Sequence, residues 1–194
     1  MRGVSAVAEG TLEDPSVPDR VEKRGRDHIF FVGFHGAGKS TLARNLGGMF
    51  NRRYVDTDRL VERRAGMSVA MIFESQGEAR FREFETAALA SLRVERSLLV
   101  SCGGGIVETP RNITLMREMG YCVYLDGDLD DSLRQIRRSD TRPDLVSESH
   151  AARLLERRRP LYRRAADYVV DIRGKSFTEV SYAVAELLLE RGLL

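Results

Sequence analysis

The sequence predicts an α/β fold in which a parallel sheet carries helices on both faces, and two observations carry that reading. The first is Gly33-Phe-His-Gly-Ala-Gly-Lys-Ser40, which matches the spacing G-x-x-x-x-G-K-[ST] of a phosphate-binding loop at every fixed position. The second is the alternation of short apolar runs with longer amphipathic ones, the pattern of strands joined by crossover helices.

Ile29-Phe30-Phe31-Val32 reads as a fully buried strand, because an apolar run this short with no polar alternation fits an interior parallel strand. Leu42, Leu46 and Met49 follow at helical spacing, so strand, glycine loop and helix come in the order the motif requires. The strands are expected at 29–33, 53–56, 98–102, 121–125 and 168–171. Between them Phe81, Phe84, Ala88 and Leu92 keep one helical face, and Leu129, Leu133 and Ile136 keep another. Thr109-Pro110 opens a helix as N-cap and first position. Ser176-Phe-Thr-Glu179 is a capping box for the last helix, whose face is Val180, Ala183, Val184, Leu187 and Leu188.

A chain of 194 residues, 42% of them hydrophobic, suffices for one sizeable core, so one domain is expected at 28–194. Residues 1–27 are polar, carry Pro15 and Pro18 and show no period, which predicts a flexible N-terminal tail. The tail lacks the apolar stretch of a secretory signal, and its acids Glu9, Glu13, Asp14, Asp19, Glu22 and Asp27 do not suit a transit peptide. The 31 basic and 29 acidic residues nearly cancel, so no global field argues for nucleic acid or a membrane surface. No run approaches the ~20 apolar residues needed to span a bilayer. Cys102 and Cys122 fall in apolar runs read as interior strands, which fits reduced thiols and a cytoplasmic location.

The chemistry starts at the glycine loop. Gly33, Gly36 and Gly38 let successive N–H groups point inward at phosphate oxygens, and the new helix adds its positive end. Lys39 can reach the β- and γ-phosphates, and the Ser40 hydroxyl can ligate magnesium, so the loop is expected to bind a nucleoside triphosphate. Strand ends are the next place to look. The run 98–102 ends in Cys102-Gly103-Gly104-Gly105 with no carboxylate, which leaves Asp56, at the end of the second strand, to hold the metal through water. Asp58 lies one strand period further on. It either accepts the proton of an attacking hydroxyl or caps a helix beginning near Arg59. The three glycines fit a close backbone approach to a ligand, or a loose turn. Arg82, with Glu85 three residues on, fits a held guanidinium or a solvated helix face. In the basic run Arg157, Arg158, Arg159, Arg163 and Arg164, aromatic residues are sparse and Pro160 interrupts, against a nucleic-acid patch. One or two of these arginines are expected to face the site, and the rest to be solvated.

Taken together and in order, these pieces resemble shikimate kinase, the enzyme family that moves the γ-phosphoryl of ATP onto the 3-hydroxyl of shikimate. The resemblance covers about 28–190. It rests on Gly-x-x-x-x-Gly-Lys-Ser-Thr at 33–41, Asp56-x-Asp58, Phe81-Arg82-x-x-Glu85, Gly103-Gly104-Gly105, Arg142-Pro143 and Arg158-x-Pro160-Leu161-Tyr162. It implies that Gly36, Ala37, Gly38, Lys39, Ser40, Thr41, Arg138 and Arg142 bind ATP, with adenine contacts near Asp171 to Lys175. It implies that Asp58, Arg82, Gly103, Gly104, Gly105 and Arg158 contact shikimate, with Glu85 orienting Arg82. Lys39, Asp58 and Arg142, the lid arginine, would carry the catalysis, and Ser40 and Asp56 would serve Mg2+. The implied fold is the nucleoside-monophosphate-kinase type of P-loop protein, three α/β/α layers around a five-stranded parallel sheet with a mobile lid. The implied partners are ATP and shikimate alone, with no nucleic acid or membrane, on a monomer.

Shikimate has one carboxylate and three hydroxyls, so its site should offer a guanidinium clamp for the first. Arg82 and Arg158 fill that part. The lid departs from the family pattern: Arg137-Arg-Ser-Asp-Thr-Arg142-Pro-Asp-Leu-Val is shortened and puts Asp144 where the family has leucine. Two rival readings are another kinase of the same fold, such as a gluconate kinase, and a non-enzymatic ATP-binding regulatory protein. The first has no need of the combined set, and the second would not keep Lys39, Asp58, Arg82 and Arg158 intact.

Overall fold

The computed structural model describes residues 27–129 and 148–194. Its strands are β1 (His28–Val32), β2 (Tyr54–Asp56), β3 (Leu99–Ser101), β4 (Gly120–Asp126) and β5 (Tyr168–Asp171). All four pairings are parallel and the order is β2-β3-β1-β4-β5, so β1 lies at the centre. Its five residues are all buried. Ile29 and Phe31 point into one apolar cluster and Phe30 and Val32 into the other, which is why the strand reads as an unbroken apolar run.

The helices are α1 (Lys39–Met49), α2 (Thr57–Ala65), α3 (Val69–Ala90), α4 (Pro110–Met119), α5 (Glu148–Ala165) and α6 (Phe177–Glu190). Leu42, Ala43 and Leu46 of α1 and Val180, Val184 and Leu188 of α6 cover the Phe31 face. Leu89 of α3, Met116 of α4 and Leu154, Leu155 and Tyr162 of α5 cover the Phe30 face. Helix α2 packs on α3 through Val61, Ile72, Phe81 and Ala88. The result is the expected three-layer arrangement with its five-stranded parallel sheet. The capping box of α6 forms as the sequence requires, with Glu179 N–H donating to Ser176 Oγ and Ser176 N–H to Glu179 Oε2. Cys102 and Cys122 are buried free thiols.

One local expectation is corrected and three details are added. Met49 is 54% exposed, because the last turn of α1 makes its close contact through Gly47, where a Cβ would meet the Arg52 carbonyl at 2.8 Å. Thr109 stands at the N-cap of α4 but its side chain makes no capping bond. Pro160 does not interrupt α5, which runs through it. Helix α3 is broken at Gly77, where φ 79° and ψ 171° belong to a region that only glycine occupies readily. Leu129 packs on the core, whereas Leu133, Ile136, the lid and residues 1–26 of the tail lie outside the described residues. No helix among the described residues is long and apolar enough to cross a membrane.

Candidate active site

The strand order reverses direction across β1, and in parallel sheets the ligand crevice opens at such a point beyond the carboxyl ends of the strands. The glycine loop leaves β1 there and enters α1 at Gly38, whose φ of 81° is left-handed, the conformation glycine supplies without strain. Lys39 folds back over the loop, its Nζ donating to the Gly33 and Phe34 carbonyls at 2.8 and 2.7 Å. Ser40 Oγ donates to Asp56 Oδ2 at 2.9 Å, so the hydroxyl and the carboxylate expected to serve a metal stand together. Gly36 and Ala37 are half-buried on the turn, and Thr41 faces outward into a groove shared with Phe177.

Asp56 also resolves the question of the helix cap. Strand β2 stops at Asp56, and Asp56 Oδ1 accepts from the Asp58 and Arg59 N–H groups at 3.1 and 3.3 Å. Asp56 is therefore the N-cap of α2, not Asp58. Asp58 sits in the first turn of the helix rather than on a continued strand, and its carboxylate faces a cavity of about 420 Å³.

That cavity gathers residues far apart in sequence: His35 of the loop, Asp56 and Asp58, Arg82 and Glu85 of α3, Gly103 to Gly105, and Arg158 of α5. None of the three glycines has a positive φ, so their role is spatial. A Cβ on Gly103 would stand 2.4 Å from Asp58 Oδ1, one on Gly104 2.8 Å from the His35 ring, and one on Gly105 2.4 Å from the Arg82 guanidinium. The close approach expected of the glycines is thus made by the protein's own site groups. Their backbone is pinned by Thr57 Oγ1, which accepts from Gly103 N–H at 2.9 Å, and by Tyr162 OH, which donates to the Gly104 carbonyl at 2.5 Å.

Arg82 and Arg158 meet at this wall. Arg82 donates to Glu85 Oε2 at 3.0 Å, as the spacing predicts, and also to Glu78 and Glu108. Arg158, with a side chain only 4% exposed, donates to Glu108 Oε2 at 2.9 Å and faces His35 Nε2 at 3.2 Å. Glu85 is not on the helix surface but 1% exposed, and its Oε1 has no hydrogen-bond partner. Burial pushes its carboxyl up to about 7, with the neighbouring Arg82 pulling the other way. For Arg82, desolvation lowers the pKa, but Glu85, Glu78 and Glu108 outweigh it and the net direction is upward.

Of the remaining arginines, Arg157 bonds Glu108, while Arg159 and Arg163 are drawn to buried Asp126 at 3.6 and 2.8 Å, so these three are not simply solvated. Asp171 takes the guanidinium fork of Arg173 at 2.7 and 2.9 Å. Arg138 and Arg142 lie outside the described residues.

The family model for shikimate kinase matches residues 35–189. The chain belongs to the shikimate kinase family. It is 39% identical to the shikimate kinase of Caldanaerobacter subterraneus subsp. tengcongensis, covering 81% of this chain and 93% of that protein. It is likewise 39% identical to the shikimate kinase of Halorhodospira halophila, covering 85% and 95%. Among solved structures it is similar to the shikimate kinase of Acinetobacter baumannii in complex with shikimate, with TM-score 0.81 and 31% identity over 87% of this chain and 96% of that one. The shikimate kinase of Aquifex aeolicus gives TM-score 0.73 at 31% identity, over 86% and 98%.

Several site groups of this shikimate kinase family member escape a reading of the sequence. Ser101, at the end of β3, lies 2.9 Å from Ser40 Oγ, where many phosphate-loop proteins place a carboxylate. His35 occupies a variable position of the loop motif, and Thr57 stands between two aspartates that draw the eye. Glu108 precedes Thr109-Pro110 and looks like an acid at the start of a helix. Only the spatial neighbours of these residues reveal their place.

Proposed function

We propose that this chain transfers the γ-phosphoryl of ATP to the 3-hydroxyl of shikimate, giving shikimate 3-phosphate and ADP. The observation that carries the reading is the pairing of Arg82 and Arg158 on one wall of a cavity that opens beside the phosphate loop and Asp58. A guanidinium pair suits a carboxylate, and the carboxylate Asp58 suits hydroxyls, which together match the acceptor.

In this reading the loop amides and Lys39 hold the β- and γ-phosphates, Lys39 exchanging its loop carbonyls for phosphate oxygens. The 3-hydroxyl oxygen forms a bond to the γ-phosphorus as the bond to the β–γ bridging oxygen breaks. The hydroxyl proton passes to Asp58, and the charge left on ADP is met by Lys39. Oxygen donors from Ser40 and Asp56 suit a hard cation, and their 2.9 Å contact puts both within reach of one ion. A magnesium ion held there would neutralise charge on the β- and γ-oxygens. Arg142 as lid arginine and Arg138 near the adenine rest on the family resemblance alone. We further take 28–194 as the working domain, acting as a monomer, with residues 1–26 dispensable. Its two buried thiols suit a reducing cytoplasm.

The test is ADP release from Mg-ATP with shikimate, gluconate and nucleoside monophosphates offered separately. Turnover with shikimate alone supports the assignment. Preference for gluconate or a nucleotide would replace it with another kinase of the fold, and no turnover with any acceptor would favour a regulatory ATP-binding role.

A further inference from the structure

Glu108 has no part in the roles assigned so far, yet it bonds both arginines of the acceptor wall. Its Oε2 accepts from Arg82 and from Arg158, each at 2.9 Å, so the two guanidinium nitrogens are at most twice that distance apart. Its other oxygen accepts from Arg157 at 2.5 Å. Arg82 stands on α3 and Arg158 on α5, elements with no covalent link near the site. Two guanidinium groups held this close repel each other, and in a half-dry wall that repulsion is weakly screened.

The carboxylate that offsets it is itself fixed. Glu108 ends a short 3-10 turn, Ile106–Glu108, and its N–H donates to the Gly105 carbonyl at 2.9 Å. Buried Asn112 donates to the Ile106 carbonyl at 3.1 Å and accepts from Thr86 of α3 at 2.8 Å, which ties the turn to the helix that carries Arg82. Burial alone would raise the Glu108 carboxyl, but the hydrogen bond and charge of Arg158, then Arg82 and Arg157, outweigh it and hold the group below its ordinary range. It is therefore a carboxylate at neutral pH. Both arginines line the cavity, whereas Glu108 is not among its lining residues.

We infer that Glu108 is a positioning residue for the substrate carboxylate: it fixes the spacing of the Arg82–Arg158 clamp without touching the acceptor. The inference rests on the shikimate reading for the identity of that carboxylate. Its removal has two opposed effects. Losing a negative charge draws an anion in more strongly, but a guanidinium pair that is free to splay no longer presents two forks in one plane. Bidentate recognition depends on that geometry, so position outweighs charge.

The experiment compares wild type with Glu108→Gln and Glu108→Ala by steady-state kinetics and by guanidinium NMR. Expected is a rise in shikimate KM of about tenfold in Glu108→Ala, the scale of one lost hydrogen bond to a charged group, with less in Glu108→Gln, which keeps one acceptor oxygen. ATP KM and kcat stay within about twofold of wild type, since the phosphate loop is untouched. In Arg158→Ala, adding Glu108→Ala brings little further loss, because the tie then has one end. Without any ligand, the Arg82 and Arg158 guanidinium N–H signals exchange slowly with water in wild type and faster in both variants. An unchanged or lowered shikimate KM, or N–H exchange that does not move, overturns the inference. So does an equal loss in both KM values, kcat and melting temperature, which would make Glu108 a general structural residue. A wild type inactive on shikimate would sink the functional reading alone, since the exchange measurement still decides whether Glu108 holds the clamp.

Discussion

At the scale of single residues, the groups that bind are distinct from the groups that react. Arg82→Ala and Arg158→Ala should each cost roughly 2–5 kcal/mol in shikimate recognition, the scale for breaking a desolvated charge pair, while ATP affinity barely moves. Lysine at either position keeps the charge and loses the fork, so it should recover only part of the loss. Asp58→Asn should lower kcat on the order of 10²-fold or more with little change in ATP binding. Because Asp56, not Asp58, caps α2, loss of the cap cannot explain that result, and unchanged melting beside lost turnover is the combination to look for. Glu85 gives a pH test. Its folded-state value of about 7 lies above the ordinary carboxyl value, so the folded chain holds a proton that the unfolded chain has released between those limits. The stability tied to this group is full below the ordinary carboxyl range and lost as pH rises through about 7. Glu85→Gln mimics the protonated form, so its melting temperature relative to wild type should climb across that window. A pH-independent difference would show that Glu85 stays ionised throughout.

At the scale of elements, two glycine features hold the wall in shape. Gly77 breaks α3 and sends its second half, with Arg82 and Glu85, past the cavity, while Phe73 and Phe81 pack across the break with ring centroids 4.7 Å apart. Gly77→Ala meets no steric obstacle but forces a backbone conformation closed to alanine, at a cost of about 1–3 kcal/mol. Melting and shikimate KM should both worsen. The break itself was not legible: Phe81, Phe84 and Ala88 keep a helical face that gives no sign of where the helix starts, and one glycine inside a helical pattern is commonplace. Gly105→Ala is different in kind, since its backbone is unstrained and its Cβ would displace the Arg82 guanidinium. It should raise shikimate KM with little change in melting.

At the scale of the whole molecule, the sheet was legible because its inner strands β1, β3 and β4 are buried on both faces and read as apolar runs between helical segments, while the half-buried edge strands β2 and β5 each end in an aspartate. The phosphate loop, Asp56, Asp58, Arg82 with Glu85, and Arg158 were legible as motifs at strand ends or fixed spacings. What was not legible is convergence. That Glu108 bridges arginines of α3 and α5, that His35 packs over Gly104, and that Ser101 faces Ser40 follow from the strand order β2-β3-β1-β4-β5, which brings the ends of β1, β2 and β3 together. All of these neighbours serve one claim, that a carboxylate held by two arginines presents its ring hydroxyl to the γ-phosphoryl beside Asp58. The most direct measurement is NMR of the reaction of the purified chain with Mg-ATP and shikimate, following phosphorus and ring protons together. The account predicts one ADP for each phosphate ester formed, with the ester phosphorus coupled to the proton on ring carbon 3. An ester at another hydroxyl, or inorganic phosphate with no ester at all, would contradict it.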